Sequence, residues 1–220
     1  MTLLQALRSL AGLSALVIHT SDAAVRLRVS GAHASTILAR LAASGHLVRL
    51  RRGVWAFPDR VDALALPEHL TFPFPAYVSL QSALYLHGMI SQVPSVTYAV
   101  SLARTRRFTT PVGTVSVHHV EPRFFFGFDE AGRNGGRLAT PEKALVDFLY
   151  LGPARSSLFR ALPELEWPRG FSARVARSIV RRIEPVRRRT FVSRALERLF
   201  EAQTLIAPRS TPEPIPSRAL

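Results

Sequence analysis

The chain has 220 residues, 47% hydrophobic and 20% charged, with no cysteine and a net charge of +14. That length supports one large or two small hydrophobic cores, and the absence of cysteine excludes a disulfide-stapled miniprotein, thiol catalysis and cysteine-based zinc sites. The longest apolar stretch, around Leu10 to Ile18, is too short to span a bilayer. Arg8 sits within its start instead of leading it and no small-x-small cleavage pattern follows, so neither a membrane anchor nor a secretion signal is expected and the expected location is cytoplasmic.

The position of the charge carries more than its total. Residues 1–60 hold eight basic against two acidic residues, 61–150 seven against seven, and 151–220 fourteen against six. Lys143 is the only lysine, so the excess is arginine. A uniform drift towards arginine would spread evenly, whereas two basic ends around a neutral middle point to polyanion-binding surfaces. Nucleic acid is the expected partner, because clustered cations release its condensed counterions.

In chain order, Leu3, Leu4, Leu7 and Leu10 recur at helical spacing and predict a first helix ending near Gly12, followed by a short β-prone run, Val17-Ile18-His19. Ser21 is expected to cap a second helix reaching about Arg28. The break Val29-Ser30-Gly31-Ala32 has the length of a helix-turn-helix corner, and a third helix runs from about Ala32 to Ser44, stopped by Gly45. Its inward face is Ile37, Leu38 and Leu41. Ser30, His33, Ser35, Thr36 and Arg40 then lie on or near the outer face, short polar groups with a basic residue a turn later, as a helix reading a DNA groove requires. A solvated amphipathic helix has the same pattern; the next element distinguishes the two. LVRLRRGVWAF alternates Leu47, Leu50 and Val54 with Arg49, Arg51 and Arg52 around Gly53, a β-hairpin wing with a basic edge. Arg51 and Arg52 are expected on phosphate or in the minor groove, with Trp55 and Phe57 as core behind the wing.

The proline-punctuated stretch after Pro58 reads as a linker at 61–75. Ser79 is expected to cap a helix, LQSALYLHG, stopped by Gly88. Val96 to Leu102 and Gly113 to Val120 read as strands, joined by an exposed loop with Arg104, Arg106 and Arg107. Phe124-Phe125-Phe126-Gly127-Phe128 reads as buried strand core, Asn134-Gly135-Gly136 as a hairpin turn, and Thr140-Pro141 as the opening of a helix. Ser172 is expected to cap a helix to about Glu184 with Arg174, Arg177 and Arg181 in one basic stripe, and Arg187, Arg188 and Arg189 to precede a last helix ending near Gln203. The stretch 207–220, with four prolines and no apolar period, reads as a disordered tail.

Four segments, LVRLRRGVWAF, YVSLQSALYLHGMI, TRRFTTPVGTVSVHHV and RLATPEKALVDFLYL, occur in an order that resembles the AbiEi-type antitoxins of type IV toxin-antitoxin systems, over about residues 14–151. The resemblance implies a repressor of its own operon that binds double-stranded DNA at inverted repeats in its promoter and counteracts a nucleotidyltransferase-like toxin. It implies DNA contacts on the third helix and on Arg51 and Arg52. The fold expectation is therefore α+β: a winged helix-turn-helix domain at 1–60, the linker at 61–75, and at 76–206 a mixed α/β antitoxin domain with antiparallel strands and a helical C-terminal part. A winged-helix regulator whose second domain senses a ligand or a protein partner remains the alternative, and Arg104, Arg106, Arg107, Arg174, Arg177 and Arg181 form a possible second basic surface.

An enzyme is not expected. Asp129, Glu130, Glu142, Lys143, Asp147, His118 and His119 are the available groups. His118 and His119 point to opposite faces of a strand, and no His-Glu-x-x-His or phosphate-loop spacing occurs. Glu142 and Lys143 are adjacent at a helix start, where capping chemistry accounts for them. No catalytic residue, metal or cofactor is expected.

Overall fold

The computed structural model describes residues 1–13, 15–132, 135–152 and 165–206, in a mixed α and β arrangement. The expected tail at 207–220 and Asn134 of the expected turn lie outside the described residues.

The first unit is three helices against a small sheet. Helix α1 (Leu3–Ala11) opens with a reciprocal cap: the Thr2 hydroxyl accepts from the Gln5 N–H at 3.2 Å and the Gln5 side chain accepts from the Thr2 N–H at 2.8 Å, which satisfies two donors a helix start leaves orphaned. Strand β1 (Val17–His19) leads into α2 (Thr20–Leu27), whose N-cap is His19 and not Ser21; the Ser21 hydroxyl donates to Asp22 instead. Arg28, left-handed at φ 55°, ends α2. Ser30 caps α3 (Gly31–Ala43), its hydroxyl accepting from the His33 N–H at 3.3 Å. Strands β2 (Val48–Arg51) and β3 (Val54–Ala56) form a hairpin whose turn requires Gly53 at φ +76°. β3 is central in a three-stranded antiparallel sheet, order β1-β3-β2. Leu10, Ile18, Leu38, Leu41, Leu47, Trp55 and Phe57 are buried together between helices and sheet, each large side chain contributing about 1.5–3 kcal/mol by leaving water.

The segment expected to be a linker is structured. Pro58, just before it, opens a 3-10 turn at 58–60, and Pro67 within it sits in the first turn of α4 (Leu66–Thr71), where a missing N–H costs nothing. Arg60 donates to the carbonyls of Ala11 and Leu13, both at 3.0 Å, fastening this turn to the end of α1. Leu66 and Leu70 of α4 are buried with Val17, Leu50, Val54 and Ala56 of the first unit and with Ala99, Val115 and Val117 of the second.

The second unit is built on a six-stranded sheet of order β6-β7-β5-β4-β9-β8, from β4 (Ala76–Val78), β5 (Thr97–Ser101), β6 (Arg106–Thr110), β7 (Gly113–His119), β8 (Phe128–Ala131) and β9 (Gly136–Ala139). It is mixed, not antiparallel: β5 runs parallel to β7 and β4 parallel to β9. Arg106 and Arg107 belong to edge strand β6, where a loop was expected, and only Arg104 precedes it. An edge strand tolerates such charge because one side meets solvent. The β8–β9 hairpin folds over residues 62–65 so closely that a Cβ on Gly136 would lie 2.7 Å from the backbone carbon of Leu64.

Helices α5 (Leu80–Leu86), α6 (Pro141–Leu151), α7 (Ala173–Arg181) and α8 (Val186–Ile206) contribute to the main core with Tyr77, Tyr98 and Val100. Thr140 caps α6 as expected, with Pro141 in its first turn. The aromatic run is not strand core: Phe124 is buried in a 3-10 turn, Phe125 and Phe126 are partly buried beyond it, and Phe128 begins β8. Arg187, Arg188 and Arg189 lie inside α8, one residue after its start. Among the described residues no helix is long and apolar enough to cross a membrane.

Candidate nucleic-acid interface

Helix α3 has two chemically distinct sides. Ala34, Ile37, Leu38 and Leu41 are buried, while His33, Ser35, Thr36 and Arg40 are exposed. The Thr36 hydroxyl donates to the Ala32 carbonyl at 3.1 Å, so it offers its acceptor lone pairs outward. The Ser30 hydroxyl uses its acceptor on the helix N-terminus and keeps its proton for a partner. No carboxylate neutralises Arg40, Arg49, Arg51 or Arg52 among the described residues.

The hairpin separates its three arginines. The β2–β3 register shifts between Arg49 and Arg51, which leaves Leu50, buried in the core on the same face as Val48, without a register partner and breaks the alternation beyond it. Arg49 is exposed and stands over the Trp55 ring at 5.4 Å. Arg52 is exposed at the tip. Arg51 is half-buried and its Nη2 donates to the Phe72 carbonyl at 3.2 Å, so it is turned towards the segment after α4. Trp55 is core, as expected, its indole N–H donating to Thr20 at 3.1 Å.

Five of the six arginines of the possible second surface divide into two places, and Arg107, exposed on β6, lines neither groove. Arg104 and Arg106, at the β6 edge, share a groove of about 600 Å³ with Arg51 and Arg52. Arg174, Arg177 and Arg181 lie on α7 instead, capped by Ser172 as expected. There Arg177 is held by both oxygens of Glu197 at 2.7–2.8 Å, which fixes it across α7 and α8 and holds the Glu197 carboxyl below its usual range. Arg181 lines a different groove, of about 510 Å³, with Arg189 and Arg194 of α8.

The titratable groups considered for catalysis are placed by packing. His118 is buried and His119 exposed, on opposite faces of β7, and burial pushes the His118 pKa down. Lys143 and Asp147, one turn apart on α6, form an ion pair with no solvent exposure at either side chain. Asp147 also accepts from the hydroxyls of Tyr77 at 2.9 Å and Ser79 at 2.8 Å, so Ser79 stands at the N-cap position of α5 as expected but makes no side-chain cap bond to it. The Lys143 ammonium donates to the Phe124 carbonyl at 3.0 Å and lies 3.7 Å from the centre of its ring and 4.9 Å from that of Phe126. Desolvation pushes the Lys143 pKa down, and Asp147 opposes it. Burial and the adjacent Asp147 carboxylate push the Tyr77 pKa well up. Glu142 reaches the start of α7, accepting from the Ser172 N–H at 2.8 Å. Capping of their own helix therefore does not account for Glu142 and Lys143, which join α6 to its neighbours.

This network escaped the sequence reading, although the spacing of the lone lysine and Asp147 among apolar residues was its signal. Phe72 and Phe74, exposed at the groove, carried none beyond their prolines. Among the described residues no three His, Asp or Glu side chains converge as metal ligands would. Comparison of the chain with models of known protein families gives no match, and comparison with curated proteins gives none either.

Proposed function

We propose that the chain is a DNA-binding transcription regulator, with residues 1–60 acting as a winged helix. In this reading α3 enters the major groove, with Ser35, Thr36 and Arg40 facing base edges and Ser30 and His33 near the backbone, while Arg49 and Arg52 of the hairpin lie against phosphates. The observation that carries it is the outward polar face of α3 followed directly by an arginine-edged hairpin, with no carboxylate on either. The element order α1-β1-α2-α3-β2-β3, with β3 central, supports the same reading.

The resemblance to AbiEi-type antitoxins extends the proposal: the operator is an inverted repeat upstream of the chain's own gene, and the second unit counteracts a nucleotidyltransferase-like toxin. An inverted repeat requires two copies of the α3 unit. An antitoxin of this kind needs no catalytic centre, and the buried Lys143–Asp147 pair, closed to solvent, offers none to a substrate.

The test is binding of the full chain to a labelled fragment from upstream of its gene against a scrambled fragment, near physiological salt, judged as a ratio. The expected result is preference for the native fragment, reduced by Arg40→Ala. Equal weak binding to both fragments would reject the regulator and leave a non-specific basic surface. Co-expression with the protein encoded beside it then decides between antitoxin and ligand-sensing regulator: relief of its growth inhibition supports the first, and none supports the second.

A further inference from the structure

The groove between the hairpin and the edge of the large sheet combines two features that neither unit has alone. Arg51 and Arg52 enter it from the first unit and Arg104 and Arg106 from the second, and among the described residues no carboxylate lines it. The segment after α4 adds Phe72 and Phe74, 59% and 49% exposed. Arg51 is fixed to this segment through the Phe72 carbonyl, and its Nε is buried without a partner among the described residues.

Four arginines along one groove repel one another, and two exposed phenylalanine rings leave apolar area in water. A single ligand that relieves both must carry anions beside flat, accessible ring faces. Duplex DNA supplies the anions, but its base faces are stacked inside the helix. An acidic peptide supplies anions without regularly spaced rings. A single strand supplies both, since each nucleotide pairs a phosphate with a base free to stack on an aromatic side chain.

We propose that this groove binds single-stranded nucleic acid, with bases stacked on Phe72 and Phe74 and the backbone on Arg52, Arg104 and Arg106. Arg51 is a positioning residue, holding the aromatic segment against the hairpin. Arg52 is shared with the duplex-reading face proposed above, but Phe72, Phe74, Arg104 and Arg106 are not, and Arg40 lies on α3 outside the groove, so the two sites fail separately at those residues.

The experiment measures fluorescence anisotropy of the full chain with a labelled oligothymidylate of about twelve nucleotides and, separately, with a duplex of equal length. Replacing both rings, Phe72→Ala with Phe74→Ala, is expected to weaken the single strand about tenfold or more and the duplex less than about twofold. Arg40→Ala should do the reverse. Phe74→Trp should retain single-strand binding, and the oligonucleotide should quench its fluorescence; this readout decides the matter even if the alanine pair does not fold. Unchanged single-strand binding in the alanine pair would overturn the proposal. So would equal affinity for inorganic polyphosphate, which has charge and no rings, or binding of an acidic peptide with none of the oligothymidylate.

Discussion

At the scale of single residues, two neighbouring arginines illustrate how geometry divides one sequence pattern. Arg52 is exposed at the hairpin tip, whereas Arg51 is half-buried and bonded to the Phe72 carbonyl. Arg52→Ala should therefore weaken duplex binding about equally for native and scrambled sequences and lower the slope of log K against log salt by about one. Arg51→Ala should leave that slope nearer the wild-type value and instead loosen Phe72 and Phe74, seen as faster proteolysis after α4. Equal slopes for the two variants would show that the distinction has no consequence. Asp147 is the other decisive residue. It is the counter-charge of a fully buried ammonium and the acceptor for two buried hydroxyls. Asp147→Ala should cost about 3–5 kcal/mol in urea denaturation at neutral pH. Without Asp147, desolvation and the Arg182 charge act on Lys143 unopposed and its folded pKa falls further. Between that value and the ordinary 10.5 the unfolded chain binds more protons, so stability rises with pH. The deficit of the variant should thus shrink as pH rises from neutral towards 10.5; a deficit independent of pH would mean that Lys143 stays charged without its partner.

At the scale of elements, His118 on β7 sets a second pH dependence, of the same sign but at lower pH. Burial lowers its folded pKa below 6.5, so the neutral ring contributes its full stability above 6.5 and that contribution is lost as pH falls towards the lowered value. The melting temperature should drop on acidification across that window, and His118→Gln should flatten the drop; an unaltered slope would assign it to other groups, such as His69, whose pKa burial and His19 also lower. Elements differ in how far local sequence announces them. Helix α3 was legible because its apolar positions repeat every three or four residues before Gly45, and α6 because Thr140 and Pro141 open it. Strand β6 was not, because Arg106 and Arg107 replace the apolar residues that mark a strand, and only its edge position permits that. Helix α4 was hidden by Pro67, a breaker within a helix but a starter in its first turn. The candidate interface followed the same rule. Exposure on α3 could be read from its period, but the groove could not, since it needs α4, β2 and β6 to meet across distances in sequence that carry no local signal.

At the scale of the whole molecule, the two units are joined by packing and not by a tether. Leu66 and Leu70 occupy one apolar cluster with Val17, Leu50 and Val54 on one side and Ala99, Val115 and Val117 on the other. The face of β5 and β7 that carries Ala99, Val115 and Val117 is opposite the one that carries Tyr98 and Val100 into the helical core, so the sheet is buried on both faces here. Such a shared cluster couples the melting of the units, since separating them exposes apolar area on both. Leu70→Ala removes the side chain at the centre of this junction, and truncating a buried leucine costs about 2–5 kcal/mol. Its effect should go beyond the loss itself: calorimetry of the wild-type chain should show one transition, and the variant should show two, with the first unit melting earlier. The same variant should weaken single-strand binding, because Phe72 and Phe74 directly follow α4, while leaving α3 folded at temperatures below the first transition. A single transition merely shifted to lower temperature would mean that hairpin, α4 and sheet remain one cooperative body, with Arg51 and the hairpin contacts sufficient to couple them.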